Sequence, residues 1–546
     1  MSESNESGLS RRRSLGLVSA GALTAAVLAA QENRAGATDG TRTYNVRDFG
    51  AKGDGVTLDS APVQAAIDAC TRDHGGTVLV PAGVFVVGTV EMKSNVTLHI
   101  AAGGKLLGSD DGKQYHAADA IPLTGDSTLN DGNVGLIFAV GAENVTIEGP
   151  GTIDGQGKQF LSPGRGIDPP AGISGSHRPY HLLFQRCRNL TVRDIFLTQS
   201  AFHSVRIIQS SYVKLDGIHI YNRVNRNNDG FHFISSRYVH VTNCDVECQD
   251  DACALFGSCQ FVTVTNCSFS TRWSVFRFGG GEAENITVSN CLIYDTYGCP
   301  VKMRCGPRSR FENISFSNLI LKNVTGPFSI GLGPSPSRTA GQPPAVTPPG
   351  QPGIVRNITF SGIHCTVGRP IALADVPFIS NYNPGEIKSC IALNGVDASL
   401  EKISFSDVTV TYPGGGTFEE GAVRDVPRVA GEYYETGVLP AWGLYARQVR
   451  GLDLRNVRFE LAESDARPAV VFDHVSDAAI NGLSVQGDRA AESVVRLIDS
   501  HDVLMTATRL LSPAKVFLQT EGTSINIIMD GGDLTKAAER SVALRG

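Results

Sequence analysis

The chain has 546 residues, of which 41% are hydrophobic and 19% charged, and a net charge of −6 at neutral pH. This composition is typical of a folded soluble protein, and the acidic balance excludes the basic field that nucleic acid binding requires. A chain of this length ordinarily indicates several domains, so internal repeats have to be sought before domains are counted.

The N-terminus has the pattern of an export signal. Three arginines at 11–13 precede an apolar run over 15–30, which is too short and too rich in alanine for a membrane span. The letters RRSL resemble a twin-arginine signal, and cleavage is expected near 35–37, with 28–30 as an alternative. We therefore predict a signal peptide over 1–37, a periplasmic or secreted protein, and no membrane association after its removal.

The stretch DSAPVQAAIDACTRD, residues 59–73, predicts an amphipathic helix. Asp59 or Ser60 can cap its N-terminus, and Pro62 suits the first turn. One face of the helix is apolar and consists of Val63, Ala66, Ile67 and Cys70.

Short phrases that alternate apolar and polar residues, the period of a β-strand, recur after this helix. They are NVTIEG (144–149), NLTVRD (189–194), YVKLDG (212–217), YVHVTN (238–243), FVTVTN (261–266), NITVSN (285–290), NISFSN (313–318), NITFSG (357–362) and KISFSD (402–407). From the phrase at 189 to the phrase at 313 the spacings are 23, 26, 23, 24 and 28 residues.

This period, without helices between the strands, predicts an all-β, single-stranded, right-handed parallel β-helix of about ten coils. The helix at 59–73 is then an N-terminal cap over the apolar end of the solenoid. Spacings that double elsewhere indicate turns lengthened by loops. Pro/Gly-rich residues 332–353 and Gly/Glu/Tyr-rich residues 412–440 are predicted insertions within one domain spanning 42–535.

Equivalent positions of neighbouring coils should form ladders. Cys244, Cys267 and Cys291 close similar phrases and are predicted to stack as buried thiols. Four asparagines also share one repeat position and are predicted to form a ladder of buried amides at a bend: Asn243, Asn266, Asn290 and Asn318. The other cysteines leave disulfides possible, and their spacing is unlike that of a zinc site.

Three carboxylates interrupt this pattern at similar places. Asp229, in RNNDGFHF, and the pair Asp250 and Asp251, in QDDAC, are about one coil apart. Coils stack at about 4.8 Å, so the three side chains should share one patch of surface. Crowded like charges raise at least one carboxyl pKa, which makes a proton donor available beside an ionised base. Glycoside hydrolysis needs this combination.

The order NNDG, then QDDAC, resembles glycoside hydrolase family 28, which shows the motifs NTDG, DDC, GHG and RIK in turn. The stretch YNVRDFGAKGDG at 44–55 resembles the N-terminal cap of pectin-active β-helix proteins. The resemblance covers about 44–410. It implies that Asp250 protonates the glycosidic oxygen and that Asp229 and Asp251 activate water, with inversion. Asn227 would orient Asp229 or the sugar. It implies no metal and no cofactor.

Two motifs depart from the family pattern. Where GHG is expected the chain has no histidine, and Arg272 or Trp273 stands near its place. Where RIK is expected the chain reads VKMR, so Lys302 and Arg304 are candidates for binding a sugar carboxylate. Further substrate-binding candidates are Arg277 and Glu282, in FRFGGGE, and His203, one coil before Asp229.

The sequence therefore predicts a monomeric exported enzyme that hydrolyses an α-linked polysaccharide, and the cation set indicates a uronate-containing, pectin-type substrate. A polysaccharide lyase on the same fold is an alternative, which would need a Ca²⁺ site and a basic residue as the base. A non-catalytic carbohydrate-binding solenoid is the other alternative.

Overall fold

The computed structural model describes residues 42–116, 134–160, 178–334, 351–369, 388, 390–431 and 436–544. The predicted signal peptide, 1–37, and most of the predicted insertion at 332–353 lie outside these residues. The chain divides into Met1–Thr43 and a second compact unit, Tyr44–Gly546. No helix of the described ranges has the length and apolar character needed to cross a bilayer.

The second unit is a right-handed parallel β-helix, as the sequence predicts. Each coil contributes one strand to each of three parallel ladders, because every strand pairs in register with its equivalents in the coils before and after. Several long strands bend from the second ladder into the third, and Leu444–Leu461 takes part in all three.

The first ladder consists of Val90–Glu91, Gly135–Val140, Tyr180–Gln185, Val205–Ile208, Phe231–Ile234, Cys253–Phe256, Ser274–Gly279, Cys299–Cys305, Phe328–Leu332, Ile391–Gly395, the beginnings of Leu444–Leu461 and Val470–Asn481, then Val495–Ile498, Ala514–Glu521 and Ala537–Leu544. The second ladder consists of Thr43–Asn45, Gly76–Val80, Val96–Ile100, Glu143–Glu148, Arg188–Arg193, Ser211–Asp216, Arg237–Thr242, Gln260–Thr265, parts of Glu282–Thr296, Arg310–Val324, Ile354–Val367, Leu400–Tyr412, Leu444–Leu461 and Val470–Asn481, then His501–Thr506 and Ile525–Asp530. The third ladder consists of Asp54–Leu58, Gly83–Val87, Gly104–Gly108, Thr152–Asp154, Phe196–Thr198, His219–Asn222, Asp245–Cys248, Ser268–Thr271, the later parts of the long strands, Ser484–Val485 and Arg509–Leu510.

The predicted strand phrases all lie in the second ladder, and their alternation decides which residues face the core. In Arg237–Thr242, for example, Val239 and Val241 are buried and the residues between them face outward. The ladder has more coils than the ten or so predicted, because coils near both ends lack the recurring phrase. The last strand, Ala537–Leu544, also lies beyond the predicted end of the domain at 535.

The predicted asparagine ladder forms at the bend between the second and third ladders. Asn243, Asn266, Asn290 and Asn318 have φ values of 52–55°, in the left-handed region that asparagine tolerates better than most residues. Asn318 donates to the Asn290 side chain at 2.6 Å. The four side chains are exposed rather than buried, so the prediction of buried amides was wrong. The backbone conformation of the bend accounts for asparagine here.

Cys244, Cys267 and Cys291 stack on adjacent coils and are at most 3% exposed, which confirms the predicted thiol stack. All twelve cysteines lie within the described ranges, and each is free and buried. The disulfides that the sequence left possible are therefore absent. Buried thiols behave here as small apolar side chains of the core.

The predicted cap helix is Ser60–Arg72, and its buried face includes Val63, Ala66, Ile67 and Cys70. Asp59 occupies the N-cap position but makes no side-chain cap. Its carboxylate instead accepts hydrogen bonds from the Lys52 and Gly53 backbone at 2.7 and 2.9 Å. The other helical segments are short: Val46–Phe49, Gly112–Gln114, Gly157–Phe160 and Phe418–Gly421.

Candidate active site

The three aspartates lie on adjacent coils at the turns that lead from the third ladder into the first. Phe231 pairs with Cys253 in the first ladder, so Asp229 and Asp251, each two residues earlier, occupy equivalent positions. The Gly230 N–H donates to the Asp251 carbonyl at 3.0 Å and fixes the two turns against each other. The coil spacing predicted from sequence therefore does bring the three carboxylates together.

Asn228 and Gly230 make this close approach possible. The Asn228 side chain is fully buried, accepts hydrogen bonds from two backbone N–H groups of its own turn, and donates to the carbonyls of Ser200 and Phe202 on the previous coil at 3.0 and 2.7 Å. A Cβ on Gly230 would lie 2.5 Å from the Ala252 carbonyl oxygen, so a side chain at 230 would push the coils apart. Asn228 and Gly230 therefore have structural roles in this turn, apart from any chemistry of the aspartate between them.

Asp250 faces a donor and two cations. The Asn227 amide donates to its carboxylate at 3.2 Å, so the aspartate that Asn227 orients is Asp250 and not Asp229. The alternative prediction, that Asn227 orients the sugar, stays a prediction. Arg178 in turn donates to the Asn227 side-chain oxygen at 3.2 Å. Burial raises the pKa of Asp250, whereas the positive charges of Lys302 and Arg277 oppose this shift. A carboxyl with a raised pKa can carry a proton at mildly acidic pH.

Asp229 is 4% exposed and contacts two buried histidines. Its carboxylate lies 2.7 Å from His232 Nδ1 and 3.5 Å from His203 Nε2. Burial first, and then the charges of Asp250 and Asp251, raise the pKa of Asp229 well above its usual value. Burial therefore raises the carboxyl pKa at two of the three positions, and crowding by like charges adds to this shift at Asp229.

The two imidazoles form part of an aromatic stack. The His203 and His232 rings lie 4.4 Å apart with planes 19° from parallel, and the Phe256 ring stacks on His232 at 5.0 Å. Burial lowers the pKa of both histidines well below the usual value, which keeps the rings neutral. His203, predicted to bind substrate, is fully buried behind Asp229 and contacts protein instead.

The predicted cations lie on the following coils. Arg277 and Lys302 are register partners on the outer face of the first ladder, and Arg304 lies two residues further along the same strand. The Lys302 ammonium lies 4.3 Å from the centre of the Trp273 ring. Arg272 is 8% exposed and packs over Tyr297 at 5.4 Å.

Glu282 does not join this group. It is exposed and begins the strand Glu282–Thr296, in register with Arg310 in the second ladder. The aspartates precede first-ladder strands, whereas Glu282 follows the end of one, Ser274–Gly279. The extra residue in FRFGGGE, relative to the expected phrase, accommodates a glycine turn that carries Glu282 away.

Sequence reasoning did not select His232, Arg178 or Asn228 as site residues. His232 could have been found from the sequence, because it is the first outward-facing residue of the strand that begins directly after Gly230. Arg178 is 49 residues from its partner Asn227, and no local pattern reveals that contact.

One group could hold a metal ion. Ligand atoms of His203, Asp229 and His232 all lie within 4.8 Å of one another, and two imidazoles with a carboxylate suit zinc and related ions. The imidazole–carboxylate hydrogen bond at 2.7 Å already pairs two of these atoms.

The outer face of the first ladder is covered beyond the cations by residues 413–431 of the second predicted insertion. Arg447, 4% exposed, donates to Asn394 Oδ1 at 2.9 Å and to the Val426 and Pro427 carbonyls at 2.8 Å. Arg496, fully buried, donates to the Gly421 carbonyl at 2.6 Å.

The C-terminal end of this covering segment, around Ala430, contacts the coil of Phe328–Leu332. The Ala430 N–H donates to the Pro334 carbonyl at 2.9 Å, and a Cβ on Gly331 would lie 3.0 Å from Ala430 Cα. The register runs from Cys253–Phe256 through two intervening strands to Phe328–Leu332. Three coil steps of about 4.8 Å place the edge of the segment roughly 14 Å along the axis from the Asp251 coil.

A family model described as glycosyl hydrolases family 28 matches residues 70–376, more than half of the chain. The chain belongs to glycosyl hydrolase family 28. It is therefore a glycosidase by family, and the resemblance inferred from NNDG and QDDAC is confirmed. Among the similar curated proteins, an exopolygalacturonase of Platanus acerifolia is 27% identical over 294 residues, which are 52% of this chain and 73% of the relative.

An exo-poly-alpha-D-galacturonosidase of Dickeya chrysanthemi is 29% identical over 254 residues, covering 39% of this chain and 41% of that relative. The match thus spans less than half the length of the Dickeya protein. A solved structure, a hyperthermoactive exopolygalacturonase from Thermotoga maritima, has a TM-score of 0.57 at 18% identity and covers 77% of this chain and 92% of that one. This likeness agrees with the parallel β-helix fold.

Proposed function

We propose that this family 28 member is an exported enzyme that hydrolyses an α-linked, uronate-containing polysaccharide of the pectin type. The observation that carries the proposal is the arrangement of Asp229, Asp250 and Asp251 on adjacent coils, with Lys302 and Arg277 close enough to affect the charge of Asp250. The names of the relatives, which refer to polygalacturonate, agree with an acidic substrate. The N-terminal arginine and alanine pattern supports export to the periplasm or medium.

In the proposed reaction Asp250 donates its proton to the glycosidic oxygen as the bond from C1 to that oxygen breaks. Asp229 and Asp251 take a proton from a water molecule, whose oxygen forms the new bond to C1 from the opposite face. The configuration at C1 is inverted as a result. Lys302 and Arg304 bind the carboxylate of a neighbouring sugar, which positions the ring between the carboxyl groups.

We further propose that the enzyme attacks near a chain end. The segment 413–431 covers the outer face of the first ladder from Gly331 onward, so a polymer lying along this face has room for a few sugars on that side of Asp251. A longer polymer that continued along this face would have to displace the covering segment, whose backbone carbonyls are hydrogen-bonded to Arg447.

Product analysis on polygalacturonate, on methyl-esterified pectin and on a neutral galactan tests the proposal. A hydrolase gives new reducing ends without ultraviolet absorbance, and proton NMR in the first minutes gives the anomer formed. Unsaturated products that absorb in the ultraviolet would instead establish the lyase alternative. Binding of the polysaccharide without any product would establish the non-catalytic alternative. Early release of short oligomers with little loss of viscosity is the expected pattern for chain-end attack.

A further inference from the structure

Three exposed aromatic side chains form a continuous strip along the second ladder. We call Tyr212, Tyr238 and Phe261 the aromatic strip. Their rings stack at 4.9 and 5.1 Å with planes 11° and 6° from parallel. They are nevertheless 45%, 36% and 44% exposed. A row of half-exposed rings on an otherwise polar surface is a feature of binding surfaces.

The strip interrupts a run of asparagines in the neighbouring coils, whereas Lys402, Gly451 and Asp477 occupy the same position further along the ladder. The equivalent position is Asn144 and Asn189 in preceding coils and Asn285 and Asn313 in following ones. The amides bond from coil to coil, at 2.7 Å between Asn189 and Asn144 and 3.2 Å between Asn313 and Asn285.

The residues at this position, including the three rings and the neighbouring asparagines, have a left-handed backbone. The φ values of the three aromatic residues are 56–57°. Bulky residues disfavour this region, whereas asparagine tolerates it. Asparagine would therefore fit the backbone better, and the fold by itself does not explain the three rings.

Arginines without acidic partners border the strip. Arg188 and Arg237 are exposed, and each directly precedes a residue at the ring position. No salt bridge joins either arginine to a carboxylate among the described residues, although Glu143 is the register partner of Arg188 on the preceding coil. The Arg188 guanidinium lies 4.6 Å over the Tyr212 ring. This surface therefore carries two cations beside the rings, on a chain whose net charge is −6. Its chemistry complements a ligand with apolar carbon–hydrogen surfaces and carboxylates.

We propose that the aromatic strip, with Arg188 and Arg237, is a second binding surface for acidic polysaccharide, separate from the catalytic cleft. The proposal rests on the proposed function for the nature of the polymer. The strand Phe231–Ile234 separates Asp229, at its start, from Tyr238, past its end. A polymer segment on the strip is therefore distinct from the segment being cut, and the strip holds the enzyme on its substrate.

The test replaces the three rings together, with Tyr212→Asn, Tyr238→Asn and Phe261→Asn, in an Asp250→Asn background that keeps the polymer intact. Binding to insoluble calcium polygalacturonate gel is measured by depletion. We expect Kd to rise about tenfold, the scale for losing a contact at the centre of an interface. A matched control, Leu292→Asn with Ile320→Asn, removes two exposed apolar side chains of the third ladder, 51% and 52% exposed, and should leave Kd unchanged.

Two further measurements separate binding from structure. The melting temperature of the triple variant should not fall, because asparagine suits the left-handed backbone; a clear fall would make the rings a structural stack and overturn the proposal. Arg188→Gln with Arg237→Gln leaves the rings in place and should weaken binding to the gel and its dependence on salt. A Kd within about twofold of the parent in either variant, or equal binding of the parent to neutral galactan, would also overturn it.

Cleavage of soluble trigalacturonate by the enzyme with Asp250 intact distinguishes this proposal from the proposed function. The ring variants should keep the parental kcat/KM on this short substrate, since it does not reach the strip. If the parent itself fails to cleave any oligouronide, the proposed function is lost, whereas the gel measurement still reports on the strip.

Discussion

Replacing His232 with phenylalanine would remove one hydrogen bond from the proposed base and keep the ring in its stack. The proposed base role requires Asp229 to be ionised, which its raised pKa opposes. A hydrogen bond from Nδ1 of the neutral imidazole, 2.7 Å away, favours the ionised form. A buried hydrogen bond to a charged group is worth about 1.5–3 kcal/mol, and one pKa unit corresponds to about 1.4 kcal/mol. Without the donor, the pKa of Asp229 should therefore rise further.

The sign of the activity change follows from the role of Asp229. A base is active when ionised, so a higher pKa leaves it protonated over a wider acidic range. The acid limb of the profile of kcat/KM against pH should therefore move to higher pH in His232→Phe, and activity on the acid side should fall about 10–100-fold. The melting temperature should change little, because phenylalanine can keep the contacts with His203 and Phe256.

The matched control is His203→Phe. The His203 nitrogen lies 3.5 Å from the carboxylate, beyond a good hydrogen bond, so this change should move the acid limb less. Profiles of both variants on trigalacturonate, recorded at constant ionic strength, make the comparison. An unmoved acid limb in a folded His232→Phe enzyme would refute the reasoning and remove Asp229 from the role of base.

Three further changes give distinct outcomes. Asp250→Asn should lower kcat by about 10² or more with an unchanged melting temperature, since the side chain lies on a partly exposed turn; near-parental kcat would remove the assigned acid. Lys302→Met should move the alkaline limb of the profile of kcat/KM against pH to higher pH, because the positive charge of Lys302 opposes protonation of Asp250. Arg304→Ala should raise KM for an acidic glycan, at a cost of about 1.5–3 kcal/mol. Arg447→Gln should free the covering segment, so that viscosity falls faster per bond cleaved while kcat/KM on a trimer is kept; an unchanged ratio of viscosity loss to reducing ends would count against chain-end attack by this segment.

The fold could be predicted from the sequence because one strand per coil carries a recurring phrase. Neighbouring coils stack in register, so a 23-residue spacing such as that between the phrases at 189 and 212 becomes a single step along the axis. The first and third ladders have short strands without such a phrase, and the second ladder alone revealed the period. Coils near the ends, such as that of His501–Thr506, lack the phrase and were therefore not counted.

The arithmetic of coils also placed Asp229 beside Asp251, since one register step converts sequence distance into spatial proximity. It could not give the contacts that cross coils through side chains. Arg447 and Asn394 are 53 residues apart, with the insertion between them, and nothing in either local sequence marks an arginine that anchors a loop. Glu282 shows the opposite error, because one extra glycine in the turn moves a side chain out of the expected place.

The missing histidine has a different meaning once the contacts of Asp229 are known. In the family pattern an imidazole is expected one coil past the aspartate pair, where this chain has Arg272 and Trp273. The Trp273 ring there packs against the Lys302 ammonium, so the position serves a cation that acts on Asp250. An imidazole is instead present at the first aspartate, where His232 Nδ1 lies 2.7 Å from the Asp229 carboxylate. The chain thus has no imidazole at the GHG position, whereas His232 lies beside the carboxylate proposed as a base. The absence of GHG alone is therefore no argument that the chain is inactive.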